Sequence, residues 1–348
     1  MGDYVVGHLH DGEAVLVVDE MGDVKKGTDT VGVQRQYTGT AGRIENAQVA
    51  VYLVYASRRG YAAVDRKLYV PRSWTSDPDR CRAAGLGDNT KFATKPELAA
   101  RMVTRCLDAG HRAAWVAGDE VYGGNPRLRT ALEERGTGYV LAVACSHEAT
   151  TGAAPGGFAP TCWPGGCPRG PGRSCPQGPE PRATASMTGP SSTSPIPRPG
   201  SRQLLIRRNR STGERAYYRC YSPAAVPLTT LVCVAGSRWR VEEFFQSGEG
   251  LAALDEHQVR RYPSWSRWVA LAMLAHAFLV VLCANEHEGH CSPDELIPLT
   301  CDEIQRLFIT LVNRTVFDPV HRLRWSLWRR RHQARSQTSH YRRQAAQA

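Results

Sequence analysis

The chain has 348 residues, and 44 Lys and Arg against 33 Asp and Glu leave a formal charge of +11. This length allows one large domain or two ordinary ones, and the basic balance favours a polyanionic partner. Eleven cysteines with neither a CxxC pair nor a preceding secretory signal argue against a disulfide framework and predict reduced thiols in a cytoplasmic protein. The most apolar run, WVALAMLAHAFLVVLCA from Trp268, contains His276 and predicts a buried helix rather than a membrane span.

The first half of the chain alternates strand-like and helix-like segments. VLVVDEMG, residues 15–22, begins as a β-branched run that predicts a buried strand ending in acids at Asp19. TVGVQRQYT and NAQVAVYLVYAS predict further strands of an antiparallel meander, and KPELAARMVTRCLDAG predicts a helix that stops at Gly110. RAAWVAGDE predicts a second strand ending in acids, at Asp119, before the helix NPRLRTALEERG and the strand GYVLAVAC. This alternation indicates an α/β fold.

Residues 152–200 break this pattern, because they contain 12 of the 22 prolines and no valine, leucine or lysine. Such a composition cannot build a core and predicts a disordered linker. A sharper hypothesis is that part of this stretch is translated out of frame. PGRSCPQGPEPRATASMTGPSSTSPIPRPG, back-translated with GC-rich codons and read one base earlier, permits a well-mixed sequence with strand-like runs. The codons of the gene test this hypothesis.

The ordered pattern returns from Arg202. QLLIRRN and RAYYRCYS predict strands, and PLTTLVCVAGSRWRVEEFFQ predicts a helix that carries Glu242. Near the C-terminus, HRLRWSLWRRRHQARSQTSHYRRQ from His321 contains eight arginines and no acid. It predicts a phosphate-binding arm, with a solvated disordered tail as an equal alternative.

Carboxylates from three separated segments suggest a reaction. Asp19, Asp119 and Glu242 can converge to hold two divalent metals roughly 3.5–4 Å apart. Hard oxygen ligands select Mg²⁺ or Mn²⁺. Such a pair activates water or a 3′-hydroxyl and stabilises the leaving oxygen during attack on a phosphodiester. A strand followed by Asp-Glu is alone usually an ordinary turn, so the hypothesis depends on the three acids, the basic tail and the composition together.

Longer motifs give a more specific indication. VLVVDEMGDVKKGTDTVGVQRQYTGTAGRIENAQV, FATKPELA, WVAGDEVYGGNPRLR, GYVLAVACSH and GSRWRVEEFFQ…LDEHQVRRY together resemble bacterial insertion-sequence transposases of the DDE type, over most of residues 3–148 and 201–345. The resemblance implies an α/β, ribonuclease-H-like mixed sheet flanked by helices, with a β-rich insertion, here disrupted, between the second and third acids. It also implies the catalytic and metal-binding triad Asp19, Asp119 and Glu242, with Mg²⁺ or Mn²⁺ as cofactor.

The chain departs from that family's pattern at several points. Arg238 and Glu242 have the family's spacing, but Ala235 stands where the family has a tyrosine and Glu249 where it has a lysine. Only 18 residues precede Asp19, where relatives carry a longer helical region, so we expect an N-terminally truncated, partly degenerate copy. The leading hypothesis is therefore a transposase that cleaves and joins DNA at transposon ends. The alternatives are an inactive remnant that only binds DNA and a general metal-dependent nuclease.

The expected partner is double-stranded DNA carrying transposon terminal repeats, bound by a homodimer in the cytoplasm at the nucleoid, without a membrane. Eight basic residues are predicted to contact this DNA. They are Lys25, Lys26, Arg35, Arg43, Arg238, Arg329, Arg330 and Arg331.

The sequence predicts five regions along the chain. They are the first part of the catalytic domain (1–148), a low-complexity or out-of-frame segment (149–200), a remnant of the β insertion (201–226), the rest of the catalytic domain with the glutamate-bearing helix (227–315) and a basic tail (316–348).

Overall fold

A computed structural model of the chain describes residues 1–146, 161–162, 182–188, 200–209, 212–289, 298–311 and 319–346. The chain divides into two compact units, residues 1–301 and 302–348. Apart from two short strands and Gly200, the segment expected to be low-complexity or out of frame lies outside the described residues. The five-region division of the chain stays a prediction.

Within the described residues, ten strands form one sheet. They are β1 (Val15–Val24), β2 (Gln34–Thr38), β3 (Arg43–Ala56), β4 (Tyr61–Leu68), β5 (Trp115–Gly118), β6 (Gly138–Val143), β7 (Thr161–Cys162), β8 (Arg182–Thr188), β9 (Ser201–Arg208) and β10 (Arg215–Ser222). Their order is β2-β3-β1-β5-β6-β10-β9-β8-β7, and β4 also pairs with β3.

The centre of the sheet confirms the predicted fold class. β1 pairs antiparallel with β3, and β3 pairs antiparallel with β4. On its other side β1 is parallel to β5, which is parallel to β6. This is the mixed arrangement expected of a ribonuclease-H-like domain. β10 and β9 extend the sheet antiparallel beyond β6.

Two expectations about individual elements are wrong. β1 does not end at Asp19, because residues 19–24 stay paired with β3 as far as Val24 opposite Ala47. β2 pairs with β3 and not with β1, so the three strands are not a simple meander. Of the two alternatives for the arginine-rich C-terminal run, the structure does not show the disordered tail, because Pro319–Ala345 is a helix, and the phosphate-binding arm stays a prediction.

Eleven helices lie in the described residues. They are α1 (Gly2–Leu9), α2 (Arg72–Thr75), α3 (Pro78–Ala83), α4 (Lys95–Asp108), α5 (Glu120–Gly123), α6 (Pro126–Glu134), α7 (Leu228–Ser237), α8 (Trp239–Ala252), α9 (Tyr262–Gly289), α10 (Cys301–Leu311) and α11 (Pro319–Ala345). Local signals set several ends: Thr94 and Glu97 form a capping box at α4, and Asn125 caps α6. Gly110, with a φ of +83°, follows α4 as the sequence predicts.

Each face of the sheet has its own hydrophobic core. One core joins β1 and β3 to α7 and α8, for example through Val17, Tyr52 and Phe244. The other joins the opposite face to α4 and α6, through Leu16 and Met102. Alternate residues of β1 therefore point into different cores.

Helix α9 contributes to both cores. Val269 and Met273 pack in the first core, and Ala277 and Val280 pack in the second. By length and composition α9 could also cross a membrane, yet half of its most apolar window is buried inside the protein. Packing in the core accounts for this hydropathy, as the sequence predicts.

Candidate active site

Asp19 and Asp119 lie at the same level of neighbouring parallel strands. Val18 of β1 is opposite Gly118 of β5, so the next residue on each strand is an aspartate. Adjacent strands lie about 4.8 Å apart, which brings these two residues close together. Asp19 is 8% exposed, and its neighbours Val17 and Met21 on the same face belong to the core beneath α8.

Asp119 is fixed by the turn that follows β5. It caps the short helix α5, and its Oδ1 accepts a hydrogen bond of 2.9 Å from the N–H of Val121. The backbone N–H of Glu20 similarly donates to Asp19 Oδ1 over 2.8 Å. Both carboxylates are therefore oriented by backbone groups and keep their second oxygen for other contacts.

Arg238 connects Asp19 to Glu242. It joins α7 to α8, and its Nη1 lies 3.5 Å from Asp19 Oδ2 and 3.6 Å from Glu242 Oε1. Residues four apart lie on the same face of a helix, so α8 presents Arg238 and Glu242 to β1 together. Glu242 is the most exposed of the three acids, with 44% of its side chain accessible.

The negative charge of the two aspartates is only partly compensated by nearby positive charge. Burial and then the charge of Asp119 raise the pKa of Asp19 to about 8, although Arg238 opposes this shift. Burial and then Glu20 raise the pKa of Asp119 to about 6. One guanidinium, shared with Glu242, does not neutralise two desolvated carboxylates.

This arrangement fits a hard divalent cation in its chemistry, although not as a preformed cage. A buried and a half-buried carboxylate, Asp19 and Asp119, whose charge is not fully compensated, supply the oxygen ligands that Mg²⁺ and Mn²⁺ prefer. Among the residues that the structure describes, no three His, Cys, Asp or Glu side chains are grouped closely enough to hold a metal. Arg238 lies between Asp19 and Glu242, so Glu242 could join the aspartates once the guanidinium releases it.

The sequence does not reveal a second set of contacts, behind the aspartates. Glu20 points to the opposite face of β1, where Lys95 Nζ lies 2.7 Å from Oε1 and the Tyr122 hydroxyl donates to Oε2. Tyr122 is fully buried and belongs to α5, which begins directly after Asp119. Glu20 therefore ties the strand of Asp19 to the turn of Asp119. The helical turn after Asp119 could have suggested Tyr122, whereas Lys95 has no sequence signal.

The residues predicted to contact DNA after the first acid differ in exposure. Lys25 does not face solvent: its side chain is 8% exposed, and Nζ lies 3.0 Å from the carbonyl oxygen of His257. Lys26, Arg35 and Arg43 are exposed. Arg43 pairs with Glu45 at 2.8 Å. Lys25 thus has a structural role in contrast to the expectation.

Arg329, Arg330 and Arg331 are exposed on α11, in the second compact unit. On the same helix the rings of Trp325 and Trp328 stack with centroids 4.9 Å apart. α11 is thus a basic helix that also carries exposed aromatic rings, a combination common in nucleic-acid-binding segments.

Glu249, at the position of the family's lysine, lies two turns beyond Glu242 on α8. Burial, together with Asp255 and Asp23, raises the pKa of its carboxyl group. It therefore adds negative charge near Asp23 rather than a cation for phosphate.

Comparison with known proteins identifies the family. Residues 3–194 match the family described as DDE superfamily endonuclease. A probable transposase for insertion sequence element IS701 from Microchaete diplosiphon is 34% identical over 135 residues, which are 38% of this chain and 32% of that protein. The chain thus matches about a third of that relative's length.

Two solved structures were also found. A piggyBac transposase synaptic complex with hairpin DNA has a TM-score of 0.44 and 11% identity, over 90% of this chain and 57% of that one. The NurA nuclease from Sulfolobus solfataricus has a TM-score of 0.29 and 9% identity, over 84% of this chain and 92% of that one. Both likenesses are too distant to carry an argument.

A mixed sheet of the expected topology and a family match over more than half of the chain define its class: the chain belongs to the DDE superfamily endonucleases. The resemblance to DDE-type insertion-sequence transposases, drawn from the sequence motifs, is confirmed.

Proposed function

We propose that this protein is a metal-dependent DNA transposase that cleaves phosphodiester bonds and transfers strands at transposon ends. One observation carries the proposal: Asp19 and Asp119 occupy the same level of two parallel strands, and Arg238 connects Asp19 to Glu242. The family match supports the same class of reaction.

In this proposal Asp19 and Asp119 hold a divalent ion, Mg²⁺ or Mn²⁺, and Glu242 completes a second metal position. The ions would supply an activated hydroxyl and stabilise the leaving oxygen. The chain contributes the rigid, desolvated placement of its carboxylates, and Arg238 orients Glu242. The nucleophile is water or a DNA 3′-hydroxyl, so no side chain needs to attack.

The partner in this proposal is double-stranded DNA bearing the terminal repeats of the element, bound by two copies of the chain at the nucleoid. Among the predicted contacts, Lys26, Arg35 and Arg43 would bind phosphates near the acids. Arg329, Arg330 and Arg331 would bind phosphates through α11.

A second candidate is an inactive remnant that binds DNA without cutting it. The contact of Arg238 with both Asp19 and Glu242 favours this candidate, since it fills with a side chain the space that a metal would need. Glu249 favours it too, because a glutamate replaces the family's phosphate-binding lysine.

The purified chain, with Mg²⁺ and labelled duplexes ending in the element's terminal repeats, tests the proposal. We expect cleavage at the ends, its loss in EDTA, and its loss in Asp119→Asn with DNA binding retained. Glu120→Gln is the matched control, because it removes the same charge from the adjacent exposed residue and should leave cleavage unchanged. A salt-dependent shift without cleavage would establish the inactive remnant. Cleavage without preference for the ends would establish a general nuclease.

A further inference from the structure

The side of α9 that faces away from both cores is exposed and apolar. Trp268, Leu271, Leu274 and Phe278 are 38%, 67%, 44% and 37% exposed. Because they are three or four residues apart, these side chains form one stripe along the helix. Residues 268–284 contain no Asp, Glu, Lys or Arg. The stripe is therefore a continuous apolar surface, which indicates a contact with a partner.

The spacing along this stripe is typical of a helix that packs against a second helix. Trp268, Leu271, Ala275, Phe278 and Leu282 follow one another at intervals of three, four, three and four residues. This alternation is the repeat of a coiled-coil seam, in which side chains of one helix fill the spaces between those of the other. We call these five residues the α9 seam. It is about 21 Å long, at 1.5 Å per residue.

The α9 seam is held rigid by the rest of the fold. Trp268 Nε1 donates to the carbonyl oxygen of Ala253 over 2.9 Å, which fixes the indole ring at one end of the seam. On the opposite side of the helix, Val269, Met273 and Ala277 are buried in the two cores. A surface that is already ordered loses little conformational entropy when it binds a partner.

The two ends of α9 carry charges of opposite sign. Arg267 is exposed near the beginning of the helix and has no acidic partner among the residues that the structure describes. Glu286 and Glu288 are exposed in the last turn, although Glu288 pairs with Arg59 at 2.8 Å. Two copies of α9 packed antiparallel bring each basic end beside an acidic end, whereas a parallel pair brings like charges together.

Other partners fit the α9 seam less well. Residues 268–284 offer no lysine or arginine to bind the phosphates of nucleic acid or of anionic lipid headgroups. A second copy of the chain supplies both an identical apolar seam and the complementary charges. A self-complementary surface of this kind is what a twofold symmetric dimer requires.

We propose that two copies of the chain form a dimer through the α9 seam, with the two helices antiparallel. The charges select the register, because Arg267 then lies level with the partner's Glu286. This pairing gives an interface to the two copies in the proposed function, but it does not rest on the chemistry of the aspartate site. A single pair of short helices buries less than the about 800 Å² per copy of a typical stable interface, so we expect dissociation at concentrations on the order of micromolar.

The same register aligns the repeat on both helices. Leu271 lies level with the partner's Leu282, and Ala275 lies level with the partner's Phe278. Each phenylalanine ring then packs on a small side chain of the other copy. This alternation of large and small side chains allows the two helices to approach closely.

Sedimentation equilibrium of the full chain, without DNA and in a reducing agent, tests the dimer. We expect Leu271→Glu to weaken dimerisation about a hundredfold, because a symmetric interface would contain the buried charge twice. Leu323→Glu is the matched control: Leu323 is 66% exposed on α11, and its replacement should leave the dimer unchanged. Equal thermal unfolding of the two variants shows that both are folded. A monomeric wild type, a dimer that Leu271→Glu leaves intact, or equal loss in both variants overturns the inference.

Photocrosslinking tests the orientation of the two helices. Benzoylphenylalanine in place of Leu271, in a mixture of isotopically light and heavy chains, should crosslink to residues 278–286 of the other copy. Crosslinks to residues 268–274 of the other copy would indicate a parallel pair and overturn the antiparallel arrangement. Binding to phosphatidylglycerol vesicles that Leu271→Glu abolishes, in a chain that does not dimerise, would assign the surface to a membrane and overturn the inference.

These results distinguish the dimer from the proposed function. Cleavage of DNA by a monomeric wild type would overturn the dimer and leave the proposed chemistry standing. A dimer that Leu271→Glu dissociates, in a protein that never cleaves, supports the interface and overturns the proposed function instead.

Discussion

Asp19 and Asp23 lie on the same face of β1, four residues apart, and their surroundings differ in charge. Asp23 has a cationic partner of its own, Lys25, whose Nζ lies 4.0 Å away, and His257 Nε2 lies 3.0 Å from it; both side chains are less than a tenth exposed. Asp19 shares Arg238 with Glu242 and stands beside a second aspartate. The chain thus provides Asp23 with a positive charge of its own, whereas the negative charge of Asp19 is only partly compensated.

This difference separates an acid that holds the fold from an acid that is prepared for a ligand. The uncompensated charge of Asp19 lowers the stability of the ligand-free protein. Such destabilising groups are common at functional sites, because a bound ligand compensates their charge. The contrast between the two acids can be tested by neutralising each in turn.

The largest effect is expected from Asp19→Asn. The pKa of Asp19 rises from 3.8 to about 8 on folding, so the folded chain favours the protonated carboxyl group. Its contribution to the free energy of unfolding is fully present below pH 3.8 and is lost as the pH rises through 8. Asparagine resembles the protonated form and should stabilise the metal-free protein by about 3 kcal/mol at pH 8, with no gain near pH 4.

Urea unfolding at several pH values in EDTA measures this gain. The same variant should lose the stabilisation that Mg²⁺ gives the wild type, which is about 1.4 kcal/mol at ten times the dissociation constant. A variant less stable than the wild type at pH 8 would mean that Asp19 is compensated after all.

Asp23→Asn is expected to act in the opposite direction. It leaves the buried ammonium of Lys25 and the ring of His257 without their anion, so stability should fall by about 2 kcal/mol at pH 7. Asp29→Asn is the control, because its ion pair with Arg260 is mostly exposed and should contribute little. Equal unfolding of both variants would remove the contrast between the two acids of β1.

The sequence was sufficient for the order of the central elements and for the two aspartates. Short apolar runs and helix caps have local signals, as at β5 and at α4 with its capping box. The continuation of β1 past Asp19 depends on pairing with β3, and no local pattern encodes it. The polar residues 19–24 resemble a turn until a partner strand is present.

Contacts between distant segments could not be predicted from the sequence. The motif in α8 suggested Arg238 and Glu242 but not that the guanidinium would lie against Asp19. Lys25 looked like a DNA contact because it follows an acid, whereas His257, far along the chain, holds it inside. The charge pattern of a sequence indicates the sign of the charge on its partner. The fold determines which charged side chains stay exposed and can bind that partner.

The smallest expected effect concerns the tie behind the aspartates. Tyr122→Phe removes the hydroxyl that donates to Glu20 and leaves the ion pair with Lys95 intact. The loss of one buried hydrogen bond should cost about 1 kcal/mol of stability. Because Glu20 and Tyr122 connect the strand of Asp19 to the turn of Asp119, the spacing of the aspartates should also loosen.

Tyr55→Phe is the control that distinguishes the loss of stability from the change in spacing of the aspartates. Tyr55 is buried in the same core, and its hydroxyl donates to the carbonyl oxygen of Arg112 over 3.3 Å, away from the aspartates. Both variants should lose similar stability, but the Mg²⁺ concentration for half-maximal cleavage should rise severalfold in Tyr122→Phe alone. If both variants need the same Mg²⁺ as the wild type, Glu20 stabilises the fold without positioning the aspartates. Of the acids on β1, Asp19 would then be prepared for a ligand, and Glu20 would only stabilise the fold.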